Sequence, residues 1–381
     1  MSKPQKKFIS WVLITWVMLP VRHNFLNLFR YSNGEYCEKS IRHQFGCKIP
    51  FINWFLVAFK DLKRKENVAA FDPSYIKKSG KHTYGKGRFR SGKDQQTKEG
   101  LEISCLSIVD VKDRTAYSME VVQTPSGKDS TLIEHYVGII ENRLNDIFSY
   151  TKYLAADGYF MKKNFIDPLI GKRLNIITKM LHDANLQYLY HGKQREGKGR
   201  KKKFAGKVDV KNIDKSLWSL CLENDEIIAY EQILYCVTLK RVAKVVYMEF
   251  KDTDRYAKLL STDTELSGAK VIEYYQLRFQ IEFLIRDAKQ HTGLEECQAR
   301  SEIKLYNHFN MSMMAVSLMK YRCWATLTDK SELPFSMRSI KTWFYNKYLT
   351  ETIFSNLGLE LNNNKLKRLY NQCLNIGAMA A

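Results

Sequence analysis

Four polar side chains in the segment 271–300 stand out for chemistry: a phenol, a guanidinium, a carboxylate and an ammonium. Tyr275, Arg278, Glu282 and Lys289 follow one another at intervals of three, four and seven residues. At about 3.6 residues per turn these intervals return to one side of a helix. Phe279, Ile281, Phe283, Leu284 and Ile285 supply the apolar body that such a helix needs to dock on a core. The plain structural reading is a solvated face with an incidental Arg278–Glu282 ion pair. A catalytic reading needs further acids, from elsewhere in the chain, to join Glu282.

Two other stretches offer them. Residues 67–71 form an apolar run that ends on Asp72 and Pro73. Residues 153–156 form a second, ending on Asp157 and followed at once by Gly158. Between them the pattern predicts buried strands over 101–111 and 115–123, joined by a turn at 112–114, and then a helix over 129–148. A helix after Gly158 and a fifth strand over 186–190 precede the long helix of Glu282. The predicted order is three strands, a helix, a strand, a helix, a strand and a last helix, which is an α/β arrangement.

The Tyr, Arg, Glu and Lys at these intervals resemble the YREK signature of a large group of bacterial insertion-sequence transposases. Those enzymes carry a DDE triad on a ribonuclease-H-like fold. All four residue types match at the signature's spacing. The resemblance implies that Glu282 is the third metal ligand, and that Tyr275, Arg278 and Lys289 contact the transposon-end DNA. It also implies a ribonuclease-H-like mixed sheet, in which the first strand, the end of the fourth strand and the last helix converge on one edge. Asp72, Asp157 and Glu282 stand at those three places. Asp72 is followed by Pro73-Ser74, where many members carry another acid and a Thr.

Three carboxylates brought together are costly unless a cation neutralises them. Oxygen ligands suit Mg²⁺ or Mn²⁺, and two such ions about 4 Å apart clamp an in-line phosphoryl displacement. Such a site can cut DNA with water and join it with a 3′ end. Arg278 and Lys289 would then serve as phosphate clamps, and Tyr275 would stack on a base or bond to a phosphate. Other acids rank lower. Asp110 and Asp113 read as turn residues, Asp167 before Pro168 as a turn or cap, and Glu273 and Asp287 lie off the signature spacing.

A formal charge of +21 and a pI near 9.4 point to a polyanionic partner, with steeply salt-dependent binding. Eight cysteines without a CxxC pair read as reduced thiols of a cytoplasmic protein. Cys37, His43 and Cys47 match no common zinc spacing. The apolar run 8–19 lacks a small-residue cleavage site and ends at Pro20, too early for a membrane span. It reads as a helix of a small domain, with no membrane partner expected.

The predicted organisation is a helical N-terminal DNA-binding domain (1–65), the first part of the catalytic domain (66–192), a β-rich insertion (193–256), the second part with the signature helix (257–330), and a helical C-terminal region (331–381). Residues 77–92 read as a glycine-rich basic loop able to approach phosphates. Residues 191–203, with Lys201, Lys202 and Lys203, read as a disordered or DNA-tracking loop. Strands are expected over 217–222, 227–238 and 242–250. Trp218 lies in this insertion. In the family an inserted aromatic can hold a flipped base, although a buried strand Trp is the simpler reading. Met311, Met313, Met314 and Met319 read as core. The resemblance further implies double-stranded DNA partners, transposon ends and target, held by a homodimer. The competing reading is a catalytically inactive, transposase-derived DNA-binding protein or repressor.

Overall fold

A computed structural model describes residues 3–92, 94–124, 126, 131–194, 197, 199–326 and 335–377. Arg195 and Lys198 of the basic loop, and Pro334, lie outside the described residues. The chain opens with α1 (Lys3–Met18), α2 (Phe25–Arg30), α3 (Glu38–Gln44) and α4 (Phe51–Ala58). The apolar run 8–19 falls largely on α1 and buries Phe8, Ile9, Val12 and Trp16. Among the described residues no helix is long and apolar enough to cross a membrane.

The sheet follows with β1 (Asn67–Lys77), β2 (Gly87–Ser91), β3 (Gln96–Asp110), β4 (Thr115–Thr124), β5 (Tyr153–Ala156) and β6 (Asn175–Lys179). Helices α5 (Leu132–Glu141), α6 (Leu144–Phe148) and α7 (Lys163–Gly171) connect them. The order β4-β3-β1-β5-β6 has β3 antiparallel to β1. β5 and β6 run parallel to it. This is the mixed sheet of a ribonuclease-H-like fold. β1 sits at its centre because Val68–Phe71 is a continuous apolar run with no exposed member, as a strand covered on both faces requires.

Six more strands extend the same sheet: β7 (Leu186–Leu189), β8 (Phe204–Lys207), β9 (Ser219–Glu223), β10 (Ile227–Cys236), β11 (Arg241–Phe250) and β12 (Tyr256–Ser261). From β6 the order continues β12-β11-β10-β7-β8, and β9 pairs with β10. The chain then forms α8 (Gly268–Leu277), α9 (Phe279–His291), α10 (Glu302–Thr326), α11 (Met337–Asn356) and α12 (Asn364–Leu374).

Several sequence expectations need correction. The fifth strand of the central order is β6, not 186–190, which pairs antiparallel with β10. β12 was not anticipated at all. The basic stretch 77–92 is not all loop: its end forms β2, paired with the first residues of β3. β1 does not stop at Pro73 but runs to Lys77 against β3. It has no β5 partner beyond Phe71, and a strand edge tolerates proline. The helix expected over 129–148 is divided, because Arg143 turns aside to bind Glu120 at 2.6 Å. Asp167 lies inside α7 and pairs with Arg241 and Lys163 rather than capping a turn.

One hydrophobic core runs through the molecule and includes the N-terminal helices together with β1, β3, α9 and α10. Met311, Met313 and Met314 are buried in it. Asn307 of α10 fastens the α3–α4 segment by bonds to Phe45, Ile49 and Cys47. None of the eight cysteines is in a disulfide.

Candidate active site

Parallel pairing sets the first two acids side by side. β1 and β5 align Ala69 with Leu154, Ala70 with Ala155 and Phe71 with Ala156. Asp72 and Asp157 are the next residue of each strand, so their backbones stand about one strand spacing apart, roughly 5 Å. Small alanines let the two strands lie buried, and each run ends on its acid. The Asp157 carbonyl accepts from the Phe160 amide at 2.9 Å and the Thr178 hydroxyl at 3.0 Å, which fixes this strand end.

The third acid comes from α9, which packs over β1, β3 and β4. The signature segment is not one helix, because α8 and α9 meet at Arg278. There the Arg278 amide bonds to the Tyr275 carbonyl and the Ile281 amide to the Arg278 carbonyl. Both are three-residue spans that tighten the turn. Arg278 is 5% exposed, and its guanidinium reaches Glu282 at 2.9 Å and Asp72 at 3.6 Å. Its Nε is buried with no acceptor.

Tyr275 completes the group: the Arg278 guanidinium lies 5.8 Å from its ring centroid, and the Asp157 charge acts on its phenol. Burial, with the Asp157 charge, lifts its phenol to about 12. The Asp72 carboxyl is pushed up to about 7 by burial, with Glu282, Asp157 and Glu102 adding negative charge and Arg278 opposing them. Asp72, Asp157, Glu282, Tyr275 and Arg278 are therefore gathered at one sheet edge. Among the described residues no three His, Cys, Asp or Glu side chains are set to hold a metal ion as they stand. Arg278 instead bridges Asp72 and Glu282.

Lys289 lies two turns beyond Glu282. It donates to the Tyr75 carbonyl at 2.8 Å and pairs with Glu295 at 3.2 Å, tying α9 to β1. Lys201, Lys202 and Lys203 are exposed, and the Lys203 carbonyl accepts from the Tyr190 amide beside β7. β7 stands six strands from β1, about 30 Å at ordinary strand spacing, so these lysines are not part of the acid cluster. Trp218 is 7% exposed. Its Nε1 donates to the Tyr188 hydroxyl at 3.1 Å, and its ring packs edge-on to Tyr247. It is a packed residue of the extended sheet.

Sequence reading passed over Glu102, a buried acid near Asp72 that accepts a 2.6 Å bond from the Tyr136 hydroxyl. A lone acid within the apolar run of β3 was the available signal. Asp110 and Asp113 share Lys65 at 2.6 and 2.8 Å, Glu273 pairs with Lys270, and Asp287 pairs with Lys320. These acids serve structure. A cleft of about 1460 Å³ opens from Asp72 and Glu282, with Lys78, Lys86, Arg286 and Arg300 on its walls.

The sheet order β4-β3-β1-β5-β6, with β3 antiparallel and β5 and β6 parallel to β1, is that of a ribonuclease-H-like α/β domain. Residues 63–318 match the transposase DDE domain family, and the chain belongs to that family. A comparison with curated proteins gave no match. Solved structures similar to the chain include Ciona intestinalis endonuclease V in complex with a 23mer DNA containing an inosine followed by a ribo-adenosine. That match has 10% identity and a TM-score of 0.26 and covers 69% of this chain and 97% of the other.

Proposed function

We propose that the protein is an insertion-sequence transposase of the YREK group. It binds the terminal inverted repeats of its element and catalyses metal-dependent strand cleavage and strand transfer. The observation that supports this reading is geometric: the β1–β5 register sets Asp72 beside Asp157, and Arg278 links Asp72 to Glu282. Carboxylates held this close disfavour each other's ionisation, and a hard divalent cation removes the conflict.

Carboxylate oxygens are the donors Mg²⁺ or Mn²⁺ takes, and Asp72, Asp157 and Glu282 would hold the ions with Arg278 displaced from between Asp72 and Glu282. Two such ions, when bound, supply activation of the attacking hydroxyl and neutralisation of the leaving oxygen. The chain's own groups do the rest. Arg278, held between Asp72 and Glu282, lends positive charge to the DNA phosphate beside them. Tyr275 orients Asp157 and meets the DNA end from the same face. Lys289 holds α9 against β1 and contributes positive potential beside the scissile phosphate. Lys201, Lys202 and Lys203 follow the DNA farther from the chemistry. The N-terminal helices (1–65) recognise the end sequence, and two copies hold two ends.

The test is incubation of the purified protein with Mg²⁺ and duplex DNA carrying the inverted repeats that flank its gene. Cleavage at the repeat boundary, absent in EDTA, is expected. Tight binding of that DNA with no nick under any divalent ion would overturn the assignment.

A further inference from the structure

We propose that Arg22, Lys78, Thr83 and Arg300 form a phosphate-binding subsite in the cleft, which takes a backbone phosphodiester of the DNA led to Asp72 and Glu282. The proposal rests on the reading of this cleft as the DNA site and adds a specific anchor to it. All four residues line the cleft, and they come from four separate stretches of sequence.

The positions of these residues are built into the fold. Arg22 precedes His23, whose amide donates to Glu296 Oε2 at 2.6 Å, with ring Nδ1 2.9 Å from the same oxygen. The other ring nitrogen lies 3.0 Å from the Trp16 carbonyl. Gly293 has φ +65°, and a Cβ there would lie 2.4 Å from His23 Nδ1. Only glycine permits this closeness, and it locks the Arg22 loop onto the segment that ends in Arg300. The Lys78 ammonium donates to the Cys297 carbonyl of that segment. The Tyr84 amide, next to Thr83, donates to the Arg300 carbonyl at 2.9 Å.

The charges in this cluster are unbalanced. Burial lowers the Lys78 ammonium, Cys297 acts against it, and Arg22 and Arg300 lower it further. Acids on the cleft wall are already engaged, Glu99 with Lys86, Asp94 with Lys98 and Glu295 with Lys289. Thr83 is 7% exposed, and its Oγ1 is buried without a hydrogen-bond partner. Three cations held together beside an unsatisfied hydroxyl form a pocket that an anion with several acceptor oxygens completes. A phosphate group has that chemistry, and the cleft leads it to the acids.

The test uses the full chain, the double variant Arg22→Gln/Arg300→Gln, Thr83→Val, and Lys365→Gln on α12 as a control. Melting is followed with inorganic phosphate against chloride at equal ionic strength. Binding of a fluorescent random-sequence duplex is followed as salt is raised. Phosphate should raise the wild-type melting temperature, and both cleft variants should lose that rise while the control keeps it. The double variant should bind the duplex about tenfold more weakly, with a salt slope smaller by about one. Without phosphate it should melt no lower than wild type, because its removal relieves repulsion. A double variant with unchanged duplex affinity, salt slope and phosphate stabilisation overturns the subsite. Phosphate stabilisation through these residues in a protein that binds no duplex would retain the subsite and reject the DNA reading. Duplex binding with normal subsite behaviour but no cleavage would reject only the catalytic reading.

Discussion

Arg278 Nη2 stands 2.9 Å from Glu282 Oε1, and the same guanidinium lies 3.6 Å from Asp72. Arg278 therefore serves as the counter-charge between two of the three acids. Its replacement by Gln leaves those acids facing each other without a cation, so the variant should melt lower in EDTA. Divalent ions should restore a larger share of stability to it than to wild type. Melting curves with and without Mg²⁺ check this, and an equal Mg²⁺ response in both proteins would contradict the bridging role.

The triad itself predicts three null enzymes. Asp72→Ala, Asp157→Ala and Glu282→Ala should each cut end DNA at less than about a thousandth of the wild-type rate, the scale on which loss of one preorganised group acts. Binding to the same DNA should survive. Gel assays of cleavage and gel-shift binding on one substrate read both quantities, and undiminished cutting by any variant removes that residue from the site.

Trp218 distinguishes packing from base contact. Its buried ring implies that Trp218→Ala costs about 3–5 kcal/mol of stability. Trp218→Phe keeps most of the packing but drops the bond to Tyr188, a loss of about 1 kcal/mol. Urea unfolding measures both. A variant of normal stability that fails only in cleavage would point instead to a contact with DNA.

Acid should loosen the junction between the N-terminal helices and α9. Burial works to raise the Glu296 carboxyl, but two hydrogen bonds from His23 overcome it and hold the group down at about 2. His23 is itself lowered, chiefly by burial. Both groups have folded values below their unfolded ones. Their stabilisation is therefore complete above about pH 6.5, falls first as the unfolded His23 gains its proton, and falls again from about 4.5 to 2 through Glu296. Glu296→Gln should flatten the lower part of that loss, as read from urea midpoints against pH.

The acids were legible from sequence because each ends an apolar run or occupies a signature interval, and strand register then brings Asp72 and Asp157 together. The break at Arg278 was not legible. Its cause is the burial of the guanidinium beside Asp72, a contact between residues 206 positions apart. β6 was overlooked in Asn175–Lys179, a five-residue run too short for periodicity to mark it. Residues 186–190 were misplaced because an apolar run reveals a strand but not its neighbour. β2 was hidden for a related reason, since its basic, glycine-flanked residues become a strand only through the early start of β3. The bond of Lys289 to the Tyr75 carbonyl was not legible either, because it depends on how α9 lies across β1.

The antiparallel pairing of β12 with β6 has a mechanical consequence. The segment between the second and third acids is stitched into the catalytic sheet along its backbone, not suspended from it on a hinge. A displacement at the β7–β8 end of the sheet would pass strand to strand toward Asp157, so the two ends of the ribbon move as parts of a single beam.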